Sequence, residues 1–343
     1  MNFLSDNAYG ALPEIVAALS SAAAGTASSY GGDDITARVE SRLAEIFETK
    51  LRAFAVISGT AANALALATL CPPHGAVLCE AQAHIAVDEC GAPEFFTHGA
   101  KLIGIEGHHG KLTPASLETT LARFHQGFVH QAQPAVLSLT QSTEMGTVYS
   151  LAEIAALAKL AKAHGLKVHM DGARFANAMA RLGISPAEAT WKAGIDVLSF
   201  GATKNGALGA EAVIFFDPAL AGDFEYRRKK SGHLISKMRF VSAQLEAYLT
   251  DDLWLKAARH ANGLAQHLAE GVQGIAGVEI LYPVEANEVF LRLPTTLAEA
   301  LRSGGARFYD WSPPENAKST IRLVTSFATP PEDVARFVEL ASK

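Results

Sequence analysis

Between Phe54 and Ala212 the sequence repeats one pattern: a short apolar run, then a stretch whose apolar residues return at helical spacing. Such alternation predicts an α/β domain with a mainly parallel sheet, because parallel neighbours need a long crossover and a helix is the usual one. The predicted strands are Phe54–Ile57, Ala76–Cys79, Ala135–Leu139, Leu166–Met170, Ile195–Phe200 and Ala212–Phe216. The clearest helix begins at Ser150, where a hydroxyl N-cap and Glu153 form a capping box, and it stops at Gly165. Earlier, the small-residue stretch Ala17–Ser29 reads as a helix ending at Gly25 and then a loop. A second long helical pattern over Phe240–Glu270 leads to Val278 and a smaller C-terminal α+β domain. The predicted boundary lies near Thr250, with 1–250, N-terminal segment included, in the large domain and 251–343 in the small one. With 343 residues, 49% of them hydrophobic, a chain of this kind can bury a sizeable core.

Charge and composition narrow the partners. A formal net charge of -6, with only short basic runs such as Arg227–Lys230, gives no field for nucleic acid or an anionic membrane. No apolar run is long enough to span a bilayer, and the first residues lack the pattern of a secretory signal. Cys71, Cys79 and Cys90 have neither the even count of a disulfide framework nor metal-ligand spacing. They fit a reducing cytoplasm and no metal site. Small molecules are the expected partners.

Three segments fall where an α/β sheet places chemistry, beyond the carboxyl ends of its strands. Ser58, Gly59, Thr60, Ala61, Ala62 and Asn63 join the first strand to a helix running to about Leu70. A glycine for the tight turn, hydroxyl donors and a helix N-terminus make a phosphate cradle, although the same segment alone also reads as a capped turn. Asp171, with Gly172, Ala173 and Arg174, closes the strand Leu166–Met170, and read alone it caps the helix starting near Arg174. Lys204 follows the next strand, 33 residues on (204 minus 171), where a lone lysine is ordinarily a solvated charge. Together the three meet the needs of pyridoxal 5'-phosphate: a phosphate seat, a lysine amine to form an imine with its aldehyde, and a carboxylate beside its ring nitrogen. The carboxylate favours the protonated ring because an opposite charge within ~4–6 Å stabilises a cation.

These residues resemble the low-specificity branch of the L-threonine aldolases, which are fold-type I pyridoxal-phosphate enzymes. The resemblance extends over Ser5–Asn7, Tyr30–Asp34, Ser58–Asn63, His84 with Glu89–Gly91, Asp171–Arg174, Thr203–Gly206, Glu285–Asn287 and Arg322–Thr325. It implies a transferase-like fold with a large domain and a smaller C-terminal one, and a homotetramer of tight dimers with active sites at the dimer interface. It implies retro-aldol cleavage of L-threonine, L-allo-threonine and related β-hydroxy-α-amino acids to glycine and an aldehyde. By the same resemblance Lys204, His84 and Asp171 are catalytic, with His84 stacked on the ring, and it or a water it orients is the general base. Ser58, Gly59, Thr60 and Arg174 complete the cofactor site, while Ser5, Arg174 and Arg322 take the substrate carboxylate. Two departures stand out. Glu144 occupies the position of a usual histidine, and the loop Tyr30–Asp34 is one residue longer than usual. A phosphate contact from the partner subunit falls to Arg228 or Lys229.

Rival readings differ in what they release or require. A β-eliminating lyase on the same fold shares Lys204 and Asp171 but yields pyruvate and ammonia. A non-catalytic binding protein has no need of the lysine. A nicotinamide dehydrogenase needs a glycine-rich fingerprint after the first strand, which this chain lacks.

Overall fold

The computed structural model describes every residue from Met1 to Lys343. Its larger sheet contains β1 (Arg52–Val56), β2 (Gly75–Glu80), β3 (Lys101–Ile105), β4 (Gln133–Thr140), β5 (Lys167–Gly172), β6 (Val197–Gly201) and β7 (Glu211–Phe215). They lie in the order β1-β7-β6-β5-β4-β2-β3, and β7 alone runs against the others. All six expected strands are present with their ends moved by one or two residues. The unexpected one is β3, an edge strand whose short run Leu102–Ile105 is only partly covered, with Ile105 alone buried. By contrast β2, β6 and β7 are buried along their whole length, the mark of strands covered on both faces.

Two helical expectations need correction. The first helix runs Pro13–Ala22, starting where proline sets the first turn rather than at Ala17, and ending before Gly25. The pattern over Phe240–Glu270 is two helices, Arg239–Leu249 and Leu253–Val272, because Asp251 and Asp252 adopt left-handed φ of 50° and 55°. Aspartate tolerates that region better than most residues, and the apolar spacing continues across the break, which hides it. The capping box at Ser150 and Glu153 is present and opens the helix Leu151–Ala163.

The C-terminal sheet is antiparallel: β8 (Glu279–Ile280), β9 (Glu288–Pro294), β10 (Tyr309–Glu315) and β11 (Lys318–Val324), in the order β10-β11-β9-β8. Arg322 therefore sits on an interior strand, not on the edge strand that a charge in the run Ile321–Val324 suggests. The helix Leu253–Val272 is a shared wall, giving Trp254 and Ala258 to the large core and Leu264, Leu268 and Val272 to the small one. The N-terminal segment crosses to the C-terminal unit. Phe3 is fully buried in the small core; its N–H donates to the Arg307 carbonyl at 2.8 Å, and its carbonyl accepts from Val324 N–H at 3.0 Å. No helix is long and apolar enough to cross a membrane.

Candidate active site

The carboxyl ends of β1, β4, β5 and β6 converge on a cavity of about 570 Å³. Its walls include Ser58, Gly59, Thr60, Asn63, His84, Asp171, Arg174 and Lys204, so most of the expected site residues meet in one place. Ser5 and Arg322 are not in its lining. They stand behind it, beside the Arg174 network described below.

Each wall has a local cause. Ser58 caps the helix Gly59–Leu70, its hydroxyl accepting from Ala61 N–H at 3.3 Å, so that helix starts at the cavity. Asp171 ends β5, and its two oxygens are both held: Oδ1 accepts from Ala173 N–H at 2.9 Å and Oδ2 from Asn63 Nδ2 at 2.7 Å. The Lys204 turn is brought against it by Gly201, where a Cβ would lie 2.5 Å from the Ala173 carbonyl oxygen. The turn is then pinned from below. Asn205 Nδ2 donates to the Tyr248 hydroxyl and to the Trp254 carbonyl, both at 2.8 Å, and both rings pack on Phe200. Glu211 accepts from Ala202 N–H at 2.8 Å, and burial pushes its carboxyl up to about 7. Gly206, at φ +115°, finishes the turn close against Leu12.

His84 belongs to a chain of polar side chains that ends at Asp171. Its Nδ1 meets Glu89 Oε1 at 2.9 Å, and the same oxygen accepts from Asn63 Nδ2 at 2.9 Å. The bond to Glu89 raises the His84 pKa above the usual histidine value, outweighing burial and the charge of Lys204. Nδ1 is thereby committed, which leaves Nε2 for the contents of the cavity. Replacing Glu89 by glutamine is expected to lower the His84 pKa, read as a downward shift of its imidazole titration by NMR; an unchanged midpoint would contradict this coupling. Beneath Asp171, His169 is fully buried between the hydroxyls of Ser138 and Ser199, each at 2.9 Å, and burial lowers it to about 4. It stays neutral.

Arg174 is fixed before any ligand arrives. Its Nε and Nη2 donate to the two oxygens of buried Asp6 at 2.7 and 3.1 Å, and its Nη1 stands 3.3 Å from Glu288. Glu288, 1% exposed, also lies 3.8 Å from Arg322, and Asn287 Nδ2 donates to Asp6 at 3.1 Å. Burial alone would raise Asp6, but Arg174 and Lys204 hold it below its ordinary value. Ser5 caps the short turn Asp6–Ala8 and donates to Asp6 at 3.3 Å. The residues that sequence reasoning missed are Asn63 as a bridge, Asp6 and Glu288 as partners of the arginines, and Glu211. A glutamate opening the apolar run Val289–Leu291 was the available signal for Glu288.

The cavity fits the expected cofactor on one further observation. Buried polar atoms of four of its residues, Asn63 Oδ1, Glu89 Oε2, Ser142 Oγ and Glu144 Oε2, have no partner within the chain. Orphans of this kind are rare in a finished structure and mark a polar ligand or water.

Comparison with known proteins agrees with the geometry. Residues 2–295 match the family model described as Beta-eliminating lyase. The chain is 48% identical over 339 residues, 99% of its own length and 95% of the relative's, to a Pseudomonas aeruginosa protein named low specificity L-threonine aldolase. A namesake from a Pseudomonas species is 49% identical over 307 residues, covering 90% of this chain and 88% of that one. The solved structure of Leishmania major threonine aldolase superposes with a TM-score of 0.94 at 27% identity, covering 99% of this chain and 98% of that one. Serine palmitoyltransferase of Sphingomonas wittichii, at 16% identity and a TM-score of 0.73 over 100% of this chain and 86% of that one, shares the fold alone.

Proposed function

The chain belongs to the low-specificity L-threonine aldolases, within the wider beta-eliminating lyase family, and from that premise we propose that its cavity performs their retro-aldol chemistry. The substrates are L-threonine, L-allo-threonine and related β-hydroxy-α-amino acids, and the products are glycine and an aldehyde. The observation that carries this reading is the meeting of Lys204, Asp171 and the Ser58–Thr60 helix start in one cavity.

When bound, pyridoxal 5'-phosphate supplies an aldehyde for amines and a protonated ring that draws electrons from the Cα–Cβ bond. Ser58, Gly59 and Thr60 would hold its phosphate at the helix start, and Lys204 would supply the amine that holds its aldehyde. Asp171, with a donor on each of its oxygens, would stand beside the ring nitrogen and favour a proton there. His84, oriented through Nδ1 by Glu89, would lie against the ring. Arg174 and Arg322, with Ser5, orient the substrate carboxylate. Asp6 takes two of the Arg174 nitrogens and Glu288 stands at the third and beside Arg322, so the substrate carboxylate would share Arg174 Nη1 and Arg322 with Glu288. Fixing the carboxylate and the amine stands the Cα–Cβ bond across the ring, where cleavage is electronically favoured.

The same reading makes the protein a cytoplasmic homotetramer, a dimer of dimers with the site completed by the partner. Supporting it, Ile57 and Leu208 line the cavity yet are 37% and 59% exposed, an apolar rim left bare in one copy. Of the two candidates for the partner's phosphate contact, Lys229 is exposed and sits 4.4 Å over the Tyr30 ring. Arg228 is buried on its own chain, over Phe54 and bonded to the Ala55 carbonyl.

The experiment is a visible absorbance spectrum of the purified protein, followed by L-threonine or L-allo-threonine and detection of aldehyde and glycine. An imine band with aldehyde release is expected. Pyruvate and ammonia in place of aldehyde would move the reading to β-elimination, and the absence of any band would end it.

A further inference from the structure

Glu144 lies in the loop after β4, in the wall of the cavity. Its Oε1 accepts two hydrogen bonds, from His84 N–H at 2.9 Å and from the Thr140 hydroxyl at 2.8 Å. Its Oε2 accepts none and is shut off from water. The loop cannot easily swing the carboxylate elsewhere. The Thr143 and Thr147 hydroxyls bond at 2.7 Å, and Gly146, at φ +73°, packs so that a Cβ there would lie 3.0 Å from Glu288. A carboxylate oxygen with no donor is costly to keep buried, and the donor it lacks must come from what fills the cavity.

We propose that Glu144 takes the proton of the substrate's β-hydroxyl, an inference that rests on the aldolase reading above. His84, its nearest competitor, is biased by Glu89 toward holding a proton rather than accepting one. Burial pushes Glu144 up to about 7, with the Asp171 charge adding and the His84 and Thr140 donors opposing. A base whose conjugate acid titrates near the working pH is the efficient one, and two acids with separated environments divide the roles of donor and acceptor. The titratable and charged groups facing it are His84, Asp171, Arg174, Cys79 and Tyr149. Burial drives Cys79 and Tyr149 upward, so both stay neutral.

In this step the hydroxyl O–H bond breaks and its proton passes to Glu144. The pair left on oxygen becomes the second C–O bond of the aldehyde. The Cα–Cβ bond breaks with its pair left on Cα, where the cofactor would supply the electron sink, and a proton returned to Cα completes glycine. One proton has moved from oxygen to carbon, and nothing is oxidised or reduced.

The test is Glu144→Gln in the holoenzyme with two readouts: aldehyde release across pH, and exchange of the glycine α-proton with heavy water followed by NMR. Exchange needs the cofactor, Lys204 and the arginines, but no β-hydroxyl. Aldehyde release is expected to fall by on the order of 10²–10⁴-fold and to lose its inflection near 7, with exchange unchanged within about threefold. Aldehyde release surviving within about tenfold, or both activities falling together, would overturn the assignment. Should that variant not fold, Thr140→Val removes one donor to the carboxylate and is expected to move the inflection upward; a fixed inflection overturns the proposal equally. A wild-type protein showing neither exchange nor aldehyde would remove the aldolase reading itself, and this proposal with it.

Discussion

Lys204→Ala is expected to lower aldehyde release by on the order of 10⁴-fold or more and to abolish the visible imine band. The loss is chemical rather than structural. The turn that carries Lys204 is held by its neighbours: Asn205 on Tyr248 and Trp254, Thr203 on Ala210 N–H at 3.2 Å, and Glu211 on Ala202 N–H. An alanine in that turn removes none of those bonds. Thermal unfolding of the variant without cofactor should therefore match that of the wild type without cofactor, while spectrum and turnover do not. A variant that kept both band and turnover would show that the amine is supplied elsewhere and would end the present assignment of the cavity.

Arg174→Leu is the substitution with the largest expected effect on stability. It leaves Asp6, 2% exposed, and Glu288, 1% exposed, without their main cation, and the remaining contact of Glu288 to Arg322 is 3.8 Å long. Breaking a buried pair from one side typically costs ~3–5 kcal/mol, because the stranded charge stays desolvated. Denaturant unfolding measures this, and Asp6→Asn in the Arg174→Leu background should recover part of the loss, since it removes one stranded charge. The pH dependence has a definite direction. In the wild type the Asp6 carboxyl is held below its ordinary value despite its burial, so its contribution is complete above that value and fades as pH falls through the folded one. Without Arg174 only the burial remains, which favours the protonated acid. The stability gap between the two proteins should then narrow on acidification below the ordinary carboxylate range. A gap that widened there would mean that Asp6 is not the group Arg174 serves.

The parts of this fold that were readable beforehand are those whose residues declare one environment. Strands β2, β6 and β7 are mostly apolar and buried from end to end because both faces are covered, and Ser150 with Glu153 marks a helix start by its own hydrogen bonds. The site was readable where chemistry demands a residue type at a strand end, as at Asp171 and Lys204. Other features depend on what a residue meets across the fold. The break at Asp251 and Asp252 sits inside a continuous apolar spacing, and β3 is half exposed. Asn63 looks like one more residue of an alanine-rich helix until Glu89 and Asp171 arrive from two other segments to share its amide. Asp6 and Glu288 stand 168 and 114 residues from Arg174 (174 minus 6; 288 minus 174), and no local pattern connects them.

The docking of Phe3 between Arg307 and Val324 has a consequence for the order in which the protein is made. The segment Asn2–Asp6 is synthesised some 300 residues ahead of the strands that build its seat, since Phe3 docks on Arg307 and Val324. The large sheet can form while that segment waits undocked, since domains generally fold as units during synthesis. Asp6 meets Arg174 in its final setting only when β9 and β11 have arrived and closed the small core. Completion of the arginine cluster is thus coupled to the synthesis of β9 and β11, because Glu288 and Arg322 lie on them.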